Sequence, residues 1–253
     1  MQRRVGVFGA AGRMGRMVCA AVAGDPALEL VAAIDPFAAG TVVEGCTVVA
    51  EAGQADPFDV AIDFTVADAA RANLAWCAAS GVHAVVGTTG LSDADLDVFR
   101  TSFTRSNCLV AANFAIGAVL MMRFAELAAP FFATAEIIEF HHDAKVDAPS
   151  GTATTTAARM ARASADWAPD PTRHEVLPGA RGGVGPAGIR VHGVRMRGMF
   201  AHQEVVLGTE GQTLTIRHDT FGRDCYAPGI LLACKRIDGL PGLTVGLDGV
   251  LGL

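Results

Sequence analysis

Short apolar runs alternate with helix-like segments through the first 112 residues, and this alternation limits the possible folds more than any other feature of the sequence. Each run has 4 to 8 residues, the length of a buried parallel strand. Strands that alternate with helices predict βαβ units around a parallel sheet. The predicted strands are 4–8, 28–34, 58–64, 82–86 and 108–111. The predicted helices are 13–23, 67–79 and a third that begins at the capping box of Ser92 and Asp95.

The pattern changes after residue 112. Segment 166–188 holds four prolines and five glycines and predicts a long loop. The remaining elements predict an α+β domain with an open mixed sheet, and a tail that returns to the first domain. We therefore expect one domain from 1–112 with 222–253, and a second from 113–221. The predicted elements are helices 116–131, 152–165 and 228–237, and strands 136–140, 189–196, 202–207, 213–218 and 243–245.

Composition excludes several classes of protein. Hydrophobic residues make up 51% of the 253, which excludes a disordered chain. The net charge of −6 argues against a nucleic-acid partner, which would need a basic face. No segment is long and apolar enough to predict a membrane span. The six cysteines form no Cys-x-x-Cys pair, so we expect buried free thiols and a cytoplasmic protein.

A glycine turn joins the first predicted strand to the first predicted helix. Its spacing is G-x-x-G-x-x-G over Gly9, Gly12 and Gly15, and such a turn lets backbone N–H groups approach a pyrophosphate. Asp35 follows the second strand, 20 residues after Gly15, where a carboxylate accepts from ribose hydroxyls. No Lys or Arg comes directly after it, so a 2′-phosphate clamp is not visible there, although Arg13 and Arg16 could supply positive charge. A tight turn without a ligand is the alternative interpretation.

Small and polar residues follow three other strands, at the sheet edge where open parallel sheets bind ligands. They are Gly87-Thr88-Thr89-Gly90, Ala112-Asn113-Phe114 and, more weakly, Asp63-Phe64-Thr65. Small residues there would let a flat nicotinamide ring lie close to the backbone. Ordinary turn chemistry is the alternative.

The segment Glu139–Ala153 is the most informative stretch of the sequence. His141 and His142 are adjacent on a strand, so they point to different sides and do not suit one metal ion. The turn before the next helix, 149–152, offers N–H groups and hydroxyls to a carboxylate, and Lys145 adds a positive charge. The segment therefore predicts a proton donor beside an anionic substrate. A solvated loop with a helix cap is the alternative.

The motifs together resemble one family. E-F-H-H-D-A-K-V-D-A-P-S-G-T-A, V-G-V-F-G-A-A-G-R-M-G, D-F-T, G-T-T-G and A-N-F-A-I-G-A-V occur in the order found in 4-hydroxy-tetrahydrodipicolinate reductases, also called dihydrodipicolinate reductases, of the bacterial lysine and diaminopimelate pathway. The resemblance covers essentially the whole chain. Residues 198–219 look most like the actinobacterial branch.

The resemblance implies a Rossmann-like N-terminal domain and a C-terminal domain for substrate binding and tetramerisation, hence a homotetramer. It implies hydride transfer from NADH or NADPH to a cyclic dicarboxylate imine, without a metal. His141 and Lys145 match the family's catalytic proton donors, His142 a substrate contact, and Gly151 with Thr152 the pair that holds a carboxylate. The implied cofactor positions are Gly9, Ala10, Ala11, Gly12, Arg13, Met14, Asp35, Gly87, Thr88, Thr89, Ala111, Ala112, Asn113 and Phe114.

Two other functions fit part of the sequence. A different two-domain NAD(P)-dependent dehydrogenase, such as one acting on an amino-acid semialdehyde, would share the first domain but would not predict the 147–152 turn. A dinucleotide-sensing regulator would need a DNA-binding module, and no basic recognition helix is evident.

Overall fold

The computed structural model describes residues 2–253. They form two units, one that extends to Ile116 and resumes at Arg223–Leu253, and another that comprises Gly117–Gly222. The strands are β1 Arg3–Phe8, β2 Leu28–Ile34, β3 Val42–Val43, β4 Cys46–Val49, β5 Val60–Asp63, β6 His83–Val86, β7 Cys108–Val110, β8 Thr134–His141, β9 Gly183–Val184, β10 Arg190–Arg195, β11 Ala201–Thr209, β12 Gln212–Thr220 and β13 Leu243–Val245. The helices are α1 Arg13–Ala23, α2 Ala67–Ser80, α3 Asp93–Ser102, α4 Ile116–Ala128, α5 Gly151–Ala163, α6 Ala227–Arg236 and α7 Asp248–Leu251.

The first unit is built on an eight-stranded sheet in the order β13-β7-β6-β5-β1-β2-β4-β3. All neighbouring strands are parallel except β3 and β4, which form a short antiparallel pair. The strand order reverses between β1 and β5, so their carboxyl ends flank the crevice where such sheets bind ligands. This is the predicted Rossmann-like architecture, which is therefore confirmed.

Apolar residues explain why these strands lie in the middle of the first unit. β5 is buried along its whole length, as a strand covered by helices on both faces must be. α1 buries Val18, Cys19 and Val22 on one face. Ser92 caps α3 in the predicted capping box, with its hydroxyl accepting from the Asp95 N–H.

The second unit contains a five-stranded mixed sheet in the order β12-β11-β8-β10-β9. β10 is parallel to β8, and the other pairs are antiparallel. α5 packs against β8 and β10. Side chains alternate between a buried face, including Ile137, Val191 and Val205, and a less buried one. The predicted α+β unit with an open mixed sheet is confirmed.

The structure differs from the sequence-based predictions in several details. β3 and β4 were not predicted because they are short and partly exposed. The two units part between Ile116 and Gly117, later than the predicted 112/113, because the buried Phe114 ring packs on Phe64 of the first unit, with centroids 5.8 Å apart. All six cysteines are free, but Cys46 and Cys225 are only partly buried. Within residues 2–253, no helix is both long and apolar enough for a membrane span.

Candidate active site

The predicted glycine turn connects β1 to α1 in the first unit. Gly9 has a φ of +69°, in the left-handed region that favours glycine. A Cβ on Gly15 would lie 2.0 Å from the Gly9 carbonyl oxygen, so only glycine lets α1 begin this close to the end of β1. Gly12 precedes the helix and supplies no capping side chain. The first N–H groups of α1 are therefore open to an anion.

The other residues of this turn differ in exposure. Ala10 is buried, Ala11 and Met14 are partly buried, and Arg13 is exposed. Arg16 donates from Nε to the Ala11 carbonyl at 3.0 Å. The turn thus presents mainly backbone groups.

Asp35, directly after β2, braces the glycine turn. Its Oδ2 accepts from the Ala11 N–H at 3.2 Å, and its Oδ1 accepts from the Phe37 N–H at 3.1 Å. The sequence predicted only a ribose contact for this residue. Each carboxylate oxygen has a second lone pair, so the bracing leaves acceptor capacity for a ribose.

A cavity of about 610 Å³ opens beside the turn. Two carboxylates, Asp35 and Glu51, line it, and no Lys or Arg does. Phe37 in its rim is 98% exposed, a flat apolar surface that can cover an adenine ring. The open N–H groups, the cavity and the acidic rim fit a dinucleotide. Of the predicted cofactor positions, Gly9, Gly12 and Asp35 line it. Thr65, from the weaker candidate segment 63–65, lines it as well, and so do Asn73 and Trp76, which the sequence did not predict.

A fully buried carboxylate, Asp63, links the ends of β5 and β6. Its Oδ1 accepts from the Thr65 N–H at 2.9 Å, from the Thr65 hydroxyl at 2.7 Å and from the Thr88 hydroxyl at 2.7 Å. Its Oδ2 accepts from the Asn73 amide at 2.8 Å. Four donors satisfy this buried charge, and two of the donating residues, Thr65 and Asn73, also line the cavity.

The remaining predicted cofactor positions lie at the ends of β6 and β7. A Cβ on Gly87 would meet the Phe64 ring at 2.1 Å, so the glycine makes room for that ring. Thr88, Ala111 and Phe114 are buried, whereas Thr89 and Ala112 are exposed. The Asn113 side chain accepts from the Ala115 N–H at 2.8 Å. A ligand here can reach the backbone, the exposed Thr89 and Ala112, and the partly exposed Gly87 and Asn113.

In the second unit, His141 ends β8 and contacts a buried carboxylate. Glu139, two residues earlier on the same face, lies 2.5 Å from Nδ1 of the imidazole through Oε2. Arg195 of β10 donates to both oxygens of Glu139, from Nη1 and Nη2, at 2.8 Å each. The sequence predicted His141 but neither partner.

The surroundings shift the pKa of both groups. Burial is the largest influence on His141 and lowers its pKa; the Glu139 carboxylate raises it in part, and Lys145 and Arg195 lower it further, so the pKa lies below its ordinary value. Burial would raise the pKa of Glu139, but hydrogen bonds from Arg195 and His141 outweigh it, so the pKa is lowered. Glu139 is therefore ionised at neutral pH.

Lys145, in the turn after β8, is paired within its own loop. Its Nζ donates to both oxygens of Asp147, at 2.7 and 2.8 Å. The hydrogen bond from Lys145 is the largest cause that lowers the pKa of Asp147. The sequence predicted the positive charge but not its pairing. An anionic ligand at Lys145 would have to displace Asp147.

The predicted anion-binding turn leads into α5. Ser150 caps the helix, its hydroxyl accepting from the Ala153 N–H at 3.2 Å, and its own N–H donates to Glu139 Oε1 at 3.0 Å. Gly151 and His142 are exposed and Thr152 is partly buried. The first turn of α5 is thus tied to the same carboxylate as His141.

No cluster of three or more His, Cys, Asp or Glu side chains suited to a metal ion occurs among residues 2–253.

Comparison with known proteins places this geometry in a family. Residues 3–114 match the model for the N-terminus of dihydrodipicolinate reductase, and residues 117–251 match the model for its C-terminus. The chain is 50% identical to the 4-hydroxy-tetrahydrodipicolinate reductase of Nocardia farcinica, over 100% of both chains, and 48% identical to that of Cutibacterium acnes, over 99% of both. A dipicolinate-bound dihydrodipicolinate reductase from Paenisporosarcina sp. TG-14 is 35% identical with a TM-score of 0.87, covering 98% of this chain and 99% of that one.

These matches extend over both units and include the segments on which the resemblance rested. They favour the reductase over a sensing regulator or another dehydrogenase. The chain belongs to the 4-hydroxy-tetrahydrodipicolinate reductase family, and it is a pyridine-nucleotide oxidoreductase.

Proposed function

We propose that this chain reduces 4-hydroxy-tetrahydrodipicolinate to tetrahydrodipicolinate in the lysine and diaminopimelate pathway, with His141 as the proton donor. One observation carries the assignment: His141, held by the buried Glu139, shares that carboxylate with the first turn of α5, where Ser150 binds it. An acid and an anion-binding turn thus belong to one hydrogen-bonded array. To protonate the ring of a bound dicarboxylate, the acid and the anion-binding turn must be held in fixed positions relative to each other.

The first unit binds the dinucleotide. The pyrophosphate lies on the open N–H groups of the 9–14 turn, and the ribose contacts Asp35. The strand-end residues 87–89 and 111–114 hold the nicotinamide end. Since the cavity has two carboxylates and no cation, NADH binds more tightly, while the exposed Arg13 leaves NADPH usable.

The second unit binds the dicarboxylate. One substrate carboxylate takes the N–H groups of Gly151 and Thr152 at the start of α5, and Lys145 turns from Asp147 to another carboxylate. His142, exposed beside this turn, is a further contact. A dianion suits the positive end of the α5 dipole and the Lys145 ammonium group.

The 4-hydroxy substrate first loses its hydroxyl group as water, which leaves a conjugated cyclic imine, and the reduction then adds a hydride and a proton to that imine. A bound dihydronicotinamide supplies the hydride. Because Nδ1 of His141 is held by Glu139, Nε2 is the nitrogen that delivers the proton. The hydride raises the electron density of the substrate ring, and the imidazolium becomes neutral when it protonates that ring. Lys145 is the second proton donor.

Four copies of the chain form the active enzyme, in the cytoplasm. Support comes from the less buried face of the second sheet, where Ile138 and Val206 remain partly exposed beside the fully buried Ile137 and Val205. Half-exposed apolar side chains on an open sheet favour burial by another copy.

The test is His141→Ala. Turnover should fall about 10²- to 10⁴-fold, the usual value of general acid catalysis, while the dissociation constant for NADH stays nearly unchanged. Stopped-flow turnover and fluorescence titration of NADH measure the two. His174→Ala, in an exposed loop position, is the control and should match the unaltered chain. Loss of NADH binding in His141→Ala would remove this residue from its assigned role.

A further inference from the structure

Glu139 is a carboxylate with no exposed surface, and the function proposed above uses it only as the hydrogen-bond partner of His141 and Ser150. Burying a charge costs free energy unless partners satisfy it. Four hydrogen bonds do so: Oε1 accepts from the Ser150 N–H at 3.0 Å and from Arg195 Nη2 at 2.8 Å, and Oε2 accepts from Arg195 Nη1 at 2.8 Å and contacts His141 Nδ1 at 2.5 Å.

Glu136 provides a natural comparison on the same strand. It lies three residues before Glu139, on the opposite face of β8. It too pairs with an imidazole and a guanidinium, His192 Nε2 at 2.6 Å and Arg181 Nη2 at 2.5 Å, but its side chain is 33% exposed. A carboxylate on β8 and an imidazole on β10 therefore pair, with a guanidinium from the loop before β9, without full burial. Cross-strand stabilisation alone therefore does not account for the complete burial of Glu139.

We propose that Glu139 and Arg195 are positioning residues for proton delivery: Glu139 holds the proton of neutral His141 on Nδ1 and aims Nε2 at the substrate, and Arg195 keeps Glu139 ionised. The inference rests on the role of His141 proposed above. It adds the carboxylate and the guanidinium that make this imidazole a directed acid.

The hydrogen-bond pattern determines how the proton is shared. Because Arg195 donates twice to Glu139, the pKa of the carboxyl stays below its ordinary value, and the proton between the two groups stays on the imidazole. The ionised carboxylate in turn raises the pKa of His141 against the effect of burial. Without Glu139 the ring is free to rotate, and its charged form loses its partner.

The charged groups around the ring set the direction of the pH effect. They are Glu139 on β8, Lys145 in the following turn and Arg195 on β10, whereas β11 faces His141 with the uncharged Ala201. Removing the one negative group leaves two positive ones. The pKa of His141 must then fall further.

Glu139→Gln tests this, because it keeps the shape and removes the charge. We expect kcat to fall about tenfold or more, with KM for the cyclic dicarboxylate changed less than about threefold. The alkaline limb of the kcat/KM profile should move to lower pH, since protonated His141 is lost at lower pH. Glu136→Gln is the matched control and should leave the profile in place.

If Glu139→Gln fails to fold, a measurement on the unaltered chain still tests the inference. Imidazole ¹⁵N NMR, assigned with His141→Gln, should show Nδ1 protonated and Nε2 unprotonated when the ring is neutral. The opposite tautomer overturns the inference, and so does a Glu139→Gln profile identical to that of Glu136→Gln. If instead His141→Ala retains full turnover, the proposed role of His141 as the proton donor fails. An unaltered chain that oxidises neither NADH nor NADPH overturns the proposed function itself, so the failures are distinguishable.

Discussion

Two buried carboxylates of the first unit act on backbone turns rather than on cations. Asp35 accepts from the N–H groups of Ala11 and Phe37, and Asp63 accepts from Thr65 and Thr88 after β5 and β6 and from Asn73 of α2. Each therefore stabilises turns of the proposed dinucleotide site. A substitution at Asp35 is expected to change both the turn and the proposed ribose contact.

Asp35→Ala separates these two effects. Losing the acceptor for Ala11 should weaken both cofactors, but NADH also loses its ribose acceptor, while NADPH is relieved of repulsion between Asp35 and its 2′-phosphate. The dissociation constant for NADH should therefore rise by more than that for NADPH, as measured by titration of the protein fluorescence. Equal weakening of the two would show that Asp35 only braces the turn.

The elements that carry the site were largely predictable from local sequence. The glycine turn between β1 and α1 follows from residue spacing, and the capping box of α3 from Ser92 and Asp95. Local pattern could not predict the pairing of Glu139 with Arg195, which lies 56 residues further along the chain and arises from the parallel register of β8 and β10. Nor could local pattern show that Lys145 pairs with Asp147, because a lysine and an aspartate in a loop can each be solvated by water instead of pairing.

The turn between β1 and α1 depends on glycine at position 15. Gly15→Ala places a methyl group against backbone atoms, the Gly9 carbonyl oxygen and the Ala10 Cα, neither of which can rotate away. We expect α1 to be displaced and NADH affinity to fall at least about tenfold, because the N–H groups no longer converge. Gly239→Ala is the control, since its Cβ meets nothing within 4 Å. Unchanged NADH affinity in a folded Gly15→Ala protein would contradict this account of the turn.

The last segment of the chain, Arg223–Leu253, completes the N-terminal unit. α6 packs against α1, and β13 adds a parallel edge strand beside β7. Ile230 and Cys234 of α6 are buried, and the Arg3 guanidinium donates to the Cys234 carbonyl at 2.5 Å. The sequence predicted this return because a lone helix after a β region needs another surface to cover. The boundary between the units at Ile116 and Gly117 could not be predicted from periodicity, because it depends on the packing of Phe114 on Phe64.

Dihydronicotinamide oxidation by the unaltered chain, followed by absorbance, tests directly whether this chain is a reductase. The unstable substrate is made in the cuvette from pyruvate and aspartate semialdehyde by the preceding synthase. We predict oxidation of both NADH and NADPH that depends on the synthase, with the lower KM for NADH because the cavity offers carboxylates and no cation. A folded protein that oxidises neither cofactor when the synthase is running would contradict the claim that this chain is a working reductase.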